Sequence, residues 1–232
     1  MPSDDDDAPL ICGAGCACAV GNEFGERAAR GDLDAYRRRG PDRTTAWLIE
    51  GLRGGPSGRV DGLTVLDIGA GIGAVHLDLL AGGAASAVDV DGSPAYIEVA
   101  RGEAERRAVG ERVTYVPGDF VERAPEIEPA DLVALDRVVC CYPDMERLIR
   151  ASVGRARLRY GLVYPRDAAW IRAGAAVANG IARLFRQRFR IWIHRTASVD
   201  AIVRAEGFAP RLERRTAIWQ VIVYERTAGT GG

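Results

Sequence analysis

A glycine-rich turn carries the clearest chemical signal in this sequence. It reads Leu66-Asp67-Ile68-Gly69-Ala70-Gly71-Ile72-Gly73 and follows directly on an apolar run typical of a strand. Because glycine has no Cβ, three alternating glycines let the backbone come close to a ligand. The turn also satisfies the relaxed dinucleotide pattern through Gly69, Gly71 and Ala74, so it does not by itself distinguish between nucleotide cofactors.

The acid before the turn separates the two main cofactor classes. Asp67 stands two residues before Gly69, where a dinucleotide would place its pyrophosphate. A carboxylate there repels phosphate, but it attracts the ammonium and sulfonium of S-adenosylmethionine, on a Coulomb scale of about 4 kcal/mol at 4 Å. Asp67 therefore favours S-adenosylmethionine, and an NAD(P)-dependent oxidoreductase on the same architecture is the alternative.

Two further acids end the next two apolar runs. Asp91 lies 22 residues after Gly69, where doubly wound folds hold a ribose by its hydroxyls. The third run closes with Pro117-Gly118-Asp119-Phe120, which offers a carboxylate for an adenine amino group and an aromatic face for the ring. Three acids at three successive strand ends predict a site for an adenosine-containing cofactor.

The elements that must position these residues alternate in type. Apolar runs typical of strands occupy residues 64–68, 87–90, 113–116, 132–135 and 161–164. Helical patterns lie between them at residues 73–81, 94–107 and 145–157, and further ones at 22–39, after Asp42, and at 199–206. This alternation predicts a doubly wound α/β fold with a mostly parallel sheet. Residues 190–194 are expected to be extended, and residues 211–215 and 219–224 to form an antiparallel hairpin at the sheet edge.

The glycine turn and the acids at the strand ends resemble those of class I S-adenosylmethionine-dependent methyltransferases. The resemblance rests on Asp67 with its glycines, on Asp91, on Gly118-Asp119-Phe120 and on the fourth strand, residues 131–138, and it covers residues 42–226. It implies a Rossmann-like sheet of seven strands with a C-terminal antiparallel hairpin, and S-adenosyl-L-methionine as cofactor. A looser likeness to magnesium-protoporphyrin O-methyltransferases lies in Asp42-Arg43-Thr44-Thr45 and in the region inserted after Tyr164.

The same resemblance implies a set of cofactor-binding residues. The methionine moiety is expected to contact Asp67, Gly69, Ala70, Gly71 and Gly73; the ribose, Asp91 and Gly92; the adenine, Asp119 and Phe120; and the inner wall beside the donor is expected to be formed by Asp136 and Arg137.

Residues after the fourth strand are the candidates for contact with the methyl acceptor. Positioning and desolvation supply most of the catalysis in methyl transfer, and a base is needed only where the acceptor must lose a proton. The stretch Val139-Cys140-Cys141-Tyr142-Pro143-Asp144 lacks the Asn/Asp-Pro-Pro-Tyr/Phe motif of amino-directed nucleic-acid methyltransferases. Tyr142 is a candidate to line the substrate or to pack in the core. His194 is a candidate base or substrate hydrogen-bond partner, or a structural histidine.

The five cysteines fall into two groups, Cys12, Cys16 and Cys18 near the start, and the adjacent pair Cys140 and Cys141. An odd count in two groups is unlike a secreted disulfide framework. If the N-terminal arm crossed the pocket, the five thiols could form a soft-metal site, a redox site or a thiol relay. The alternative, which we favour, is that they are small buried hydrophobic residues and part of a loose tail, and no metal is predicted.

Charge is divided unevenly along the chain. All 31 cationic residues are Arg, which excludes lysine chemistry, and the net charge is −1. Residues 147–215 hold 16 Arg against four acids, a balance of +12, and the remainder balances at −13. The basic block indicates an anionic ligand nearby, or a surface kept soluble by Arg.

A helix is predicted at residues 168–186, inside the basic block. Its polar residues Arg172, Asn179, Arg183 and Arg186 share one stripe, and its other residues are apolar. Such a helix must be buried, cover a hydrophobic substrate or lie on a membrane. Nucleic acid is disfavoured, because the block lacks repeated exposed aromatic residues.

These observations predict a flexible arm at residues 1–21, one domain at 22–226 with a helical lid at about 166–195, and a tail at 227–232. The acidic start lacks the features of a leader, and no apolar run is long enough to span a membrane, so a cytoplasmic location is expected. The predicted function is methylation of a small, largely apolar, anionic metabolite. The alternatives are the oxidoreductase and a non-catalytic binding or membrane-surface module.

Overall fold

The computed structural model of the chain describes residues 25–185 and 190–227. Within them, seven strands form one sheet in the order β3-β2-β1-β4-β5-β7-β6. The strands are β1 (Thr64–Ile68), β2 (Ser86–Asp91), β3 (Val113–Pro117), β4 (Ala130–Asp136), β5 (Ala156–Pro165), β6 (Phe208–Arg215) and β7 (Trp219–Arg226). Strands β1 to β5 pair in parallel, and β7 runs antiparallel to both β5 and β6. The predicted fold class is confirmed, including the C-terminal hairpin.

Eight α-helices of the described residues surround this sheet. They are α1 (Glu26–Arg39), α2 (Arg43–Arg53), α3 (Ala74–Ala81), α4 (Pro94–Arg106), α5 (Phe120–Arg123), α6 (Met145–Val153), α7 (Ala169–Leu184) and α8 (Thr196–Ala205). Carboxylate and hydroxyl caps begin several of them. Asp42 accepts hydrogen bonds from the backbone N of Thr44 and Thr45 at 2.8 and 3.1 Å, as its position before a helical pattern predicted.

Alternation along the strands sends apolar side chains to two cores. Leu66 and Ile68 of β1 belong to the core shared with α5, α6 and α8, whereas Val65 belongs to the core shared with α2 and α3. Asp67 therefore points to the side of Val65, because successive strand residues face opposite ways. This orientation matters for the site described below.

The structure differs from the predicted elements at two places. The helix expected at residues 145–157 ends at Val153. The strand expected at 161–164 begins earlier, at Ala156, because β5 pairs with β4 at residues 156 and 159–163 and with β7 at residues 159–165. The run 190–194, predicted to be extended, forms no strand. It pairs with neither edge strand of the sheet, β3 or β6, and is held by contacts with Asn179 and with the backbone oxygen of Cys140.

Helix α7 projects its apolar side chains into solvent. Ile171 is its one buried residue, while Trp170 is 57% exposed and Leu184 is 79% exposed. The sequence allowed three environments for this helix. The first of them, burial within the described part of the chain, is wrong.

The predictions for Cys12, Cys16, Cys18 and Arg186 concern residues outside the described ranges.

Candidate functional site

A cavity of about 730 Å³ opens at the carboxyl ends of β1 to β4. Strand β1 pairs with β2 on one side and β4 on the other, so the connections turn in opposite directions at this point. Open α/β sheets bind ligands at such a switch point. The volume also lies within the range of sites for small molecules and cofactors.

Residues 69–72 of the glycine turn line this cavity, whereas Gly73, predicted to contact the methionine moiety, is not among the lining residues. Gly69, Gly71 and Gly73 have φ values of +62°, +57° and +80°, in the left-handed region that favours glycine. A Cβ on Gly69 would collide with the side chain of Val138. The turn is therefore restricted to glycine both by conformation and by its packing on the β4 end, and it leaves backbone facing the cavity.

Asp91 joins the end of β2 to this turn. One carboxylate oxygen accepts a hydrogen bond from Gly71 N at 2.8 Å, and the other accepts one from Ser93 N at 2.7 Å. Burial raises the pKa of Asp91, and the two N–H donors oppose that shift. Asp91 and Gly92 both line the cavity, at the place predicted for ribose contacts.

Asp119 and Phe120 line the cavity beside Asp91. Asp119 begins α5 by accepting a hydrogen bond from Val121 N at 2.8 Å. The hydroxyl of Tyr142 donates to the same carboxylate, with oxygens 3.1 and 3.2 Å apart. Tyr142 lines the cavity, as predicted, but its hydroxyl bonds Asp119 and so helps to position that acid.

Asp67 lies behind the glycine turn, so its predicted direct contact with the methionine moiety requires correction. Its side chain is 1% exposed and does not line the cavity. One oxygen accepts hydrogen bonds from the backbone N of His76, at 3.2 Å, and pairs with His76 Nδ1 at 3.0 Å. Asp67 therefore ties β1 to the first turn of α3 and holds the glycine turn between them.

A polar network closes the cavity on the side of β4. Thr45 donates a hydrogen bond to one oxygen of Asp136. The other oxygen, Oδ1, accepts no hydrogen bond within the described part of the chain, and Arg137 Nε lies 3.7 Å from it. Burial raises the pKa of Asp136 to about 6, with the Arg137 charge and the Thr45 bond opposing. Asp136 thus presents an oxygen that a ligand can approach.

Arg137 links this wall to the start of α2. It has a φ of +63°, donates hydrogen bonds to Asp42 and, at 2.8 Å, to Thr44, and lies over the ring of Trp219 at 5.4 Å. Asp136 and Arg137 both line the cavity, as predicted. The motif at residues 42–45 carried the likeness to magnesium-protoporphyrin O-methyltransferases. The sequence analysis did not predict that Thr45 of this motif lines the site.

The C-terminal half of α1 and the turn after it supply lining residues that the sequence analysis missed. Asp32, Tyr36 and Arg39 face the cavity. Asp32 accepts a hydrogen bond from the Tyr96 hydroxyl at 2.6 Å, which attaches α1 to α4. The only available signal was an amphipathic helix upstream of the fold's first strand.

His194 lies outside the cavity lining, which corrects its prediction as a base. Its Nε2 is 3.0 Å from the backbone oxygen of Tyr142, and burial lowers its pKa. Asn179 of α7 also bonds the backbone N and O of Ile191, at 2.9 and 2.8 Å. Both side chains fasten the connection between α7 and α8 to the rest of the domain.

Several Arg residues of the basic block form ion pairs with acids, some of them from distant parts of the chain. Arg214 forms a two-bond pair with Glu50, both bonds at 2.7 Å, and Arg204 pairs with Asp200 at 2.6 Å. No Arg of residues 147–215 that the structure describes lines the cavity, where the described cations are Arg39 and Arg137. The described part of the basic block therefore does not line the cavity, which favours the alternative that its Arg residues keep the surface soluble.

The cavity lining is acidic overall. The described lining residues include five carboxylates: Asp32, Asp42, Asp91, Asp119 and Asp136. Across the described ranges, no group of three or more His, Cys, Asp or Glu side chains is arranged to hold a metal ion. Of the helices described, none has the length and apolar character needed to cross a bilayer.

Comparisons of the sequence with known proteins find methyltransferases. Residues 65–155 match the family model described as a methyltransferase domain. A ribosomal protein L11 methyltransferase from Citrobacter koseri is 40% identical over 75 residues, which are 32% of this chain and 24% of that protein. The chain thus matches about a quarter of the length of that curated relative.

Solved structures show the same fold. The magnesium protoporphyrin IX methyltransferase from Synechocystis PCC 6803, crystallised with bound SAH, has a TM-score of 0.64 at 21% identity, covering 85% of this chain and 95% of that one. An O-methyltransferase family protein from Burkholderia thailandensis has a TM-score of 0.62 at 19% identity, covering 88% and 60% of the two chains. The predicted S-adenosylmethionine-dependent methyltransferase fold is confirmed.

Proposed function

We propose that this protein, in which residues 65–155 form a methyltransferase domain, transfers the methyl group of S-adenosylmethionine to a small, largely apolar metabolite that carries an anionic group. One observation carries the proposal. Gly71 N of the glycine turn donates a hydrogen bond to Asp91, and the turn, Asp91 and the neighbouring Asp119 line one acidic cavity. A close backbone approach together with carboxylates suits the binding of an adenosine-containing, cationic donor.

The charge of the cavity fits the cationic donor. Five carboxylates against two guanidiniums create a negative potential, which attracts a sulfonium and an ammonium and disfavours the two phosphates of a dinucleotide. Oδ1 of Asp136 adds a buried acceptor that has no hydrogen bond among the described residues, and such groups are costly unless a ligand or water satisfies them. An NAD(P)-dependent oxidoreductase is accordingly not favoured.

Different lining residues would contact different parts of the donor. Asp91 and Gly92 would hold the ribose, and Asp119 and Phe120 the adenine. The turn at residues 69–72, held from behind by Asp67, would contact the methionine moiety. Asp136 and Arg137 would form the wall beside it. When bound, S-adenosylmethionine supplies a methyl group activated by the sulfonium, and the chain contributes positioning and exclusion of water.

Arg39 provides a contact for an anionic group of the acceptor. It lines the cavity mouth, and the structure records no ion pair or hydrogen bond for it among the described residues. The apolar side chains of Val138, Leu148 and Ile72 line the same cavity. The likeness to an O-methyltransferase family protein favours oxygen as the acceptor atom.

A second proposal concerns membrane contact. Trp170, Val177, Ile181 and Leu184 are each more than half exposed and share one stripe of α7. Exposed apolar stripes of this kind bind interfaces or partners. We infer peripheral contact of a cytoplasmic protein with lipid, which flotation with liposomes containing anionic lipid tests; a protein that stays at the bottom of the gradient contradicts it.

Calorimetry tests the main proposal. S-adenosylmethionine and S-adenosylhomocysteine should each bind at one site per chain, while NADH and NADPH should give no heat of binding. A release of S-adenosylhomocysteine should then follow addition of an aromatic hydroxy acid from a panel of small acceptors, and it should weaken in Arg39→Ala. Absence of binding by both donor forms at millimolar concentration would refute the methyltransferase proposal.

A further inference from the structure

The adjacent thiols of Cys140 and Cys141 have no role in the proposed transfer. Their Sγ atoms are 3.8 Å apart, on the one-turn 3-10 helix Val139–Cys141 between β4 and α6. Cys140 is 6% exposed, and Cys141 lines the cavity. A chemical change at this pair would therefore act on the cavity wall directly.

The same turn fastens the connection between α7 and α8. Trp192 N donates a hydrogen bond to the backbone oxygen of Cys140 at 2.7 Å. Two residues further along each segment, His194 contacts the backbone oxygen of Tyr142. The carbonyl oxygen of Arg137 lies 3.3 Å from Cys140 Sγ and 3.6 Å from Cys141 Sγ. The turn thus joins the cavity wall to residues 190–195.

The surroundings of the pair favour reaction of one thiol as a thiolate. The hydrogen bond with Cys141 and the nearby Arg137 guanidinium lower the pKa of Cys140, although burial opposes this shift. The thiolate is the form of cysteine that attacks peroxides and disulfides. Cys141, in reach of Cys140 and of the cavity, is placed to complete the reaction.

We propose that Cys140 and Cys141 form a redox modification site, at which a peroxide converts the two thiols into a vicinal disulfide that disrupts donor binding. One thiolate attacks the peroxide, becomes a sulfenic acid and releases hydroxide, which takes up a proton to give water. The second thiol attacks the sulfenic sulfur and expels a second water as the S–S bond forms. The pair loses two electrons and two protons, and hydrogen peroxide becomes two waters. The effect on donor binding rests on the proposed function.

Geometry explains why such a bond would change the turn and remain reversible. The sulfurs must approach from 3.8 Å to about 2.05 Å. Adjacent Cα atoms are about 3.8 Å apart, closer than the roughly 4.4 Å at which ordinary disulfides begin. The backbone of the turn must therefore rotate, which moves the cavity wall and the carbonyl that holds Trp192. Strained disulfides are readily reduced, as a switch requires.

Peptide mapping of the full chain tests the bond itself. Trypsin cleaves after Arg137 and Arg147, so residues 138–147 form one peptide that contains both thiols. After hydrogen peroxide treatment and alkylation, this peptide should have lost two hydrogens and taken up no alkyl group, and dithiothreitol should reverse both. A fully alkylated peptide, or one linked to the peptide of residues 1–27 that holds the other three cysteines, would overturn the proposal.

Binding and hydrogen exchange test the consequence. Peroxide should weaken S-adenosylhomocysteine binding at least about tenfold and speed exchange at the Trp192 amide, in the wild type and in the matched Cys12→Ser/Cys16→Ser/Cys18→Ser variant. In Cys140→Ser/Cys141→Ser, peroxide should change neither. An equal loss in that variant, or unchanged binding and exchange in the oxidised wild type, counts against the switch. If reduced protein binds no S-adenosylhomocysteine, the proposed function fails, while the peptide mass and Trp192 exchange still decide the disulfide.

Discussion

Replacement of Asp91 gives the sharpest test of the donor site. Its two carboxylate oxygens already bond the backbone N of Gly71 and Ser93, and we propose that their remaining lone pairs bond the ribose hydroxyls. Asp91→Ala removes every one of these acceptors. Asp91→Asn keeps one acceptor oxygen but loses the charge, so the two variants separate the contribution of charge from that of shape.

The expected loss follows from the number of bonds. A hydrogen bond to a charged group contributes about 1.5–3 kcal/mol, so two ribose bonds at the lower value give about 3 kcal/mol. Each 1.4 kcal/mol is a factor of ten, which predicts a roughly hundredfold rise in the Kd for S-adenosylhomocysteine in Asp91→Ala. Asp91→Asn should lose about tenfold, because it keeps part of the bonding.

Calorimetry measures the Kd for S-adenosylhomocysteine in the wild type and both variants. The pH is kept above neutral so that Asp91 is ionised in the wild type, because burial raises its pKa. Asp61→Ala is the matched control, because it removes an exposed carboxylate whose partner is the exposed Arg59. The control should bind like the wild type. If Asp91→Ala is folded by circular dichroism and binds within threefold of the wild type, the assignment of Asp91 to the donor is refuted.

Four further predictions follow from particular contacts. The affinity for S-adenosylmethionine should fall as the pH drops through about 6, because protonation removes the charge of Asp136, and Asp136→Asn should lose that inflection in a calorimetric pH series. Tyr142→Phe should weaken S-adenosylhomocysteine binding only a few-fold, by loosening Asp119; complete loss of turnover with intact binding would instead make Tyr142 catalytic. Asp67→Asn should lower the free energy of unfolding in urea by about 1–3 kcal/mol, because it weakens a buried bond to α3, and an unchanged midpoint contradicts this. Leu184→Asp should reduce liposome flotation while changing the free energy of unfolding by less than about 0.5 kcal/mol.

Most of the fold could be predicted from local patterns. The apolar run 64–68 and the helical pattern from residue 94 match β1 and α4 closely, because continuous burial and capping leave local signals in the sequence. The end of α6 was placed four residues too late, since the pairing of β5 with two neighbours is a long-range effect. The run 190–194, predicted only to be extended, lies outside the sheet, because its partners are set by long-range packing, such as the hydrogen bond of Trp192 N to the backbone oxygen of Cys140.

The donor side of the candidate site was predicted more completely than the acceptor side. Asp91 and Asp119 end parallel strands, and parallel strands bring their carboxyl ends to one edge, so their meeting follows from sequence order. Arg39 and Thr45 belong to helices that precede the sheet, and their approach to the cavity depends on how α1 and α2 pack. Nothing in local spacing specifies that packing.

The sequence by itself determined the strand and helix order, the glycine turn and the acids at the strand ends, because these depend on backbone conformation and on side-chain alternation. Only the tertiary structure decided which charges meet. Asp67 is turned away from the cavity to His76, and Arg214 of the basic block is paired with Glu50, 164 residues away. Charge acts through distance in space, and a folded chain sets that distance independently of position along the sequence.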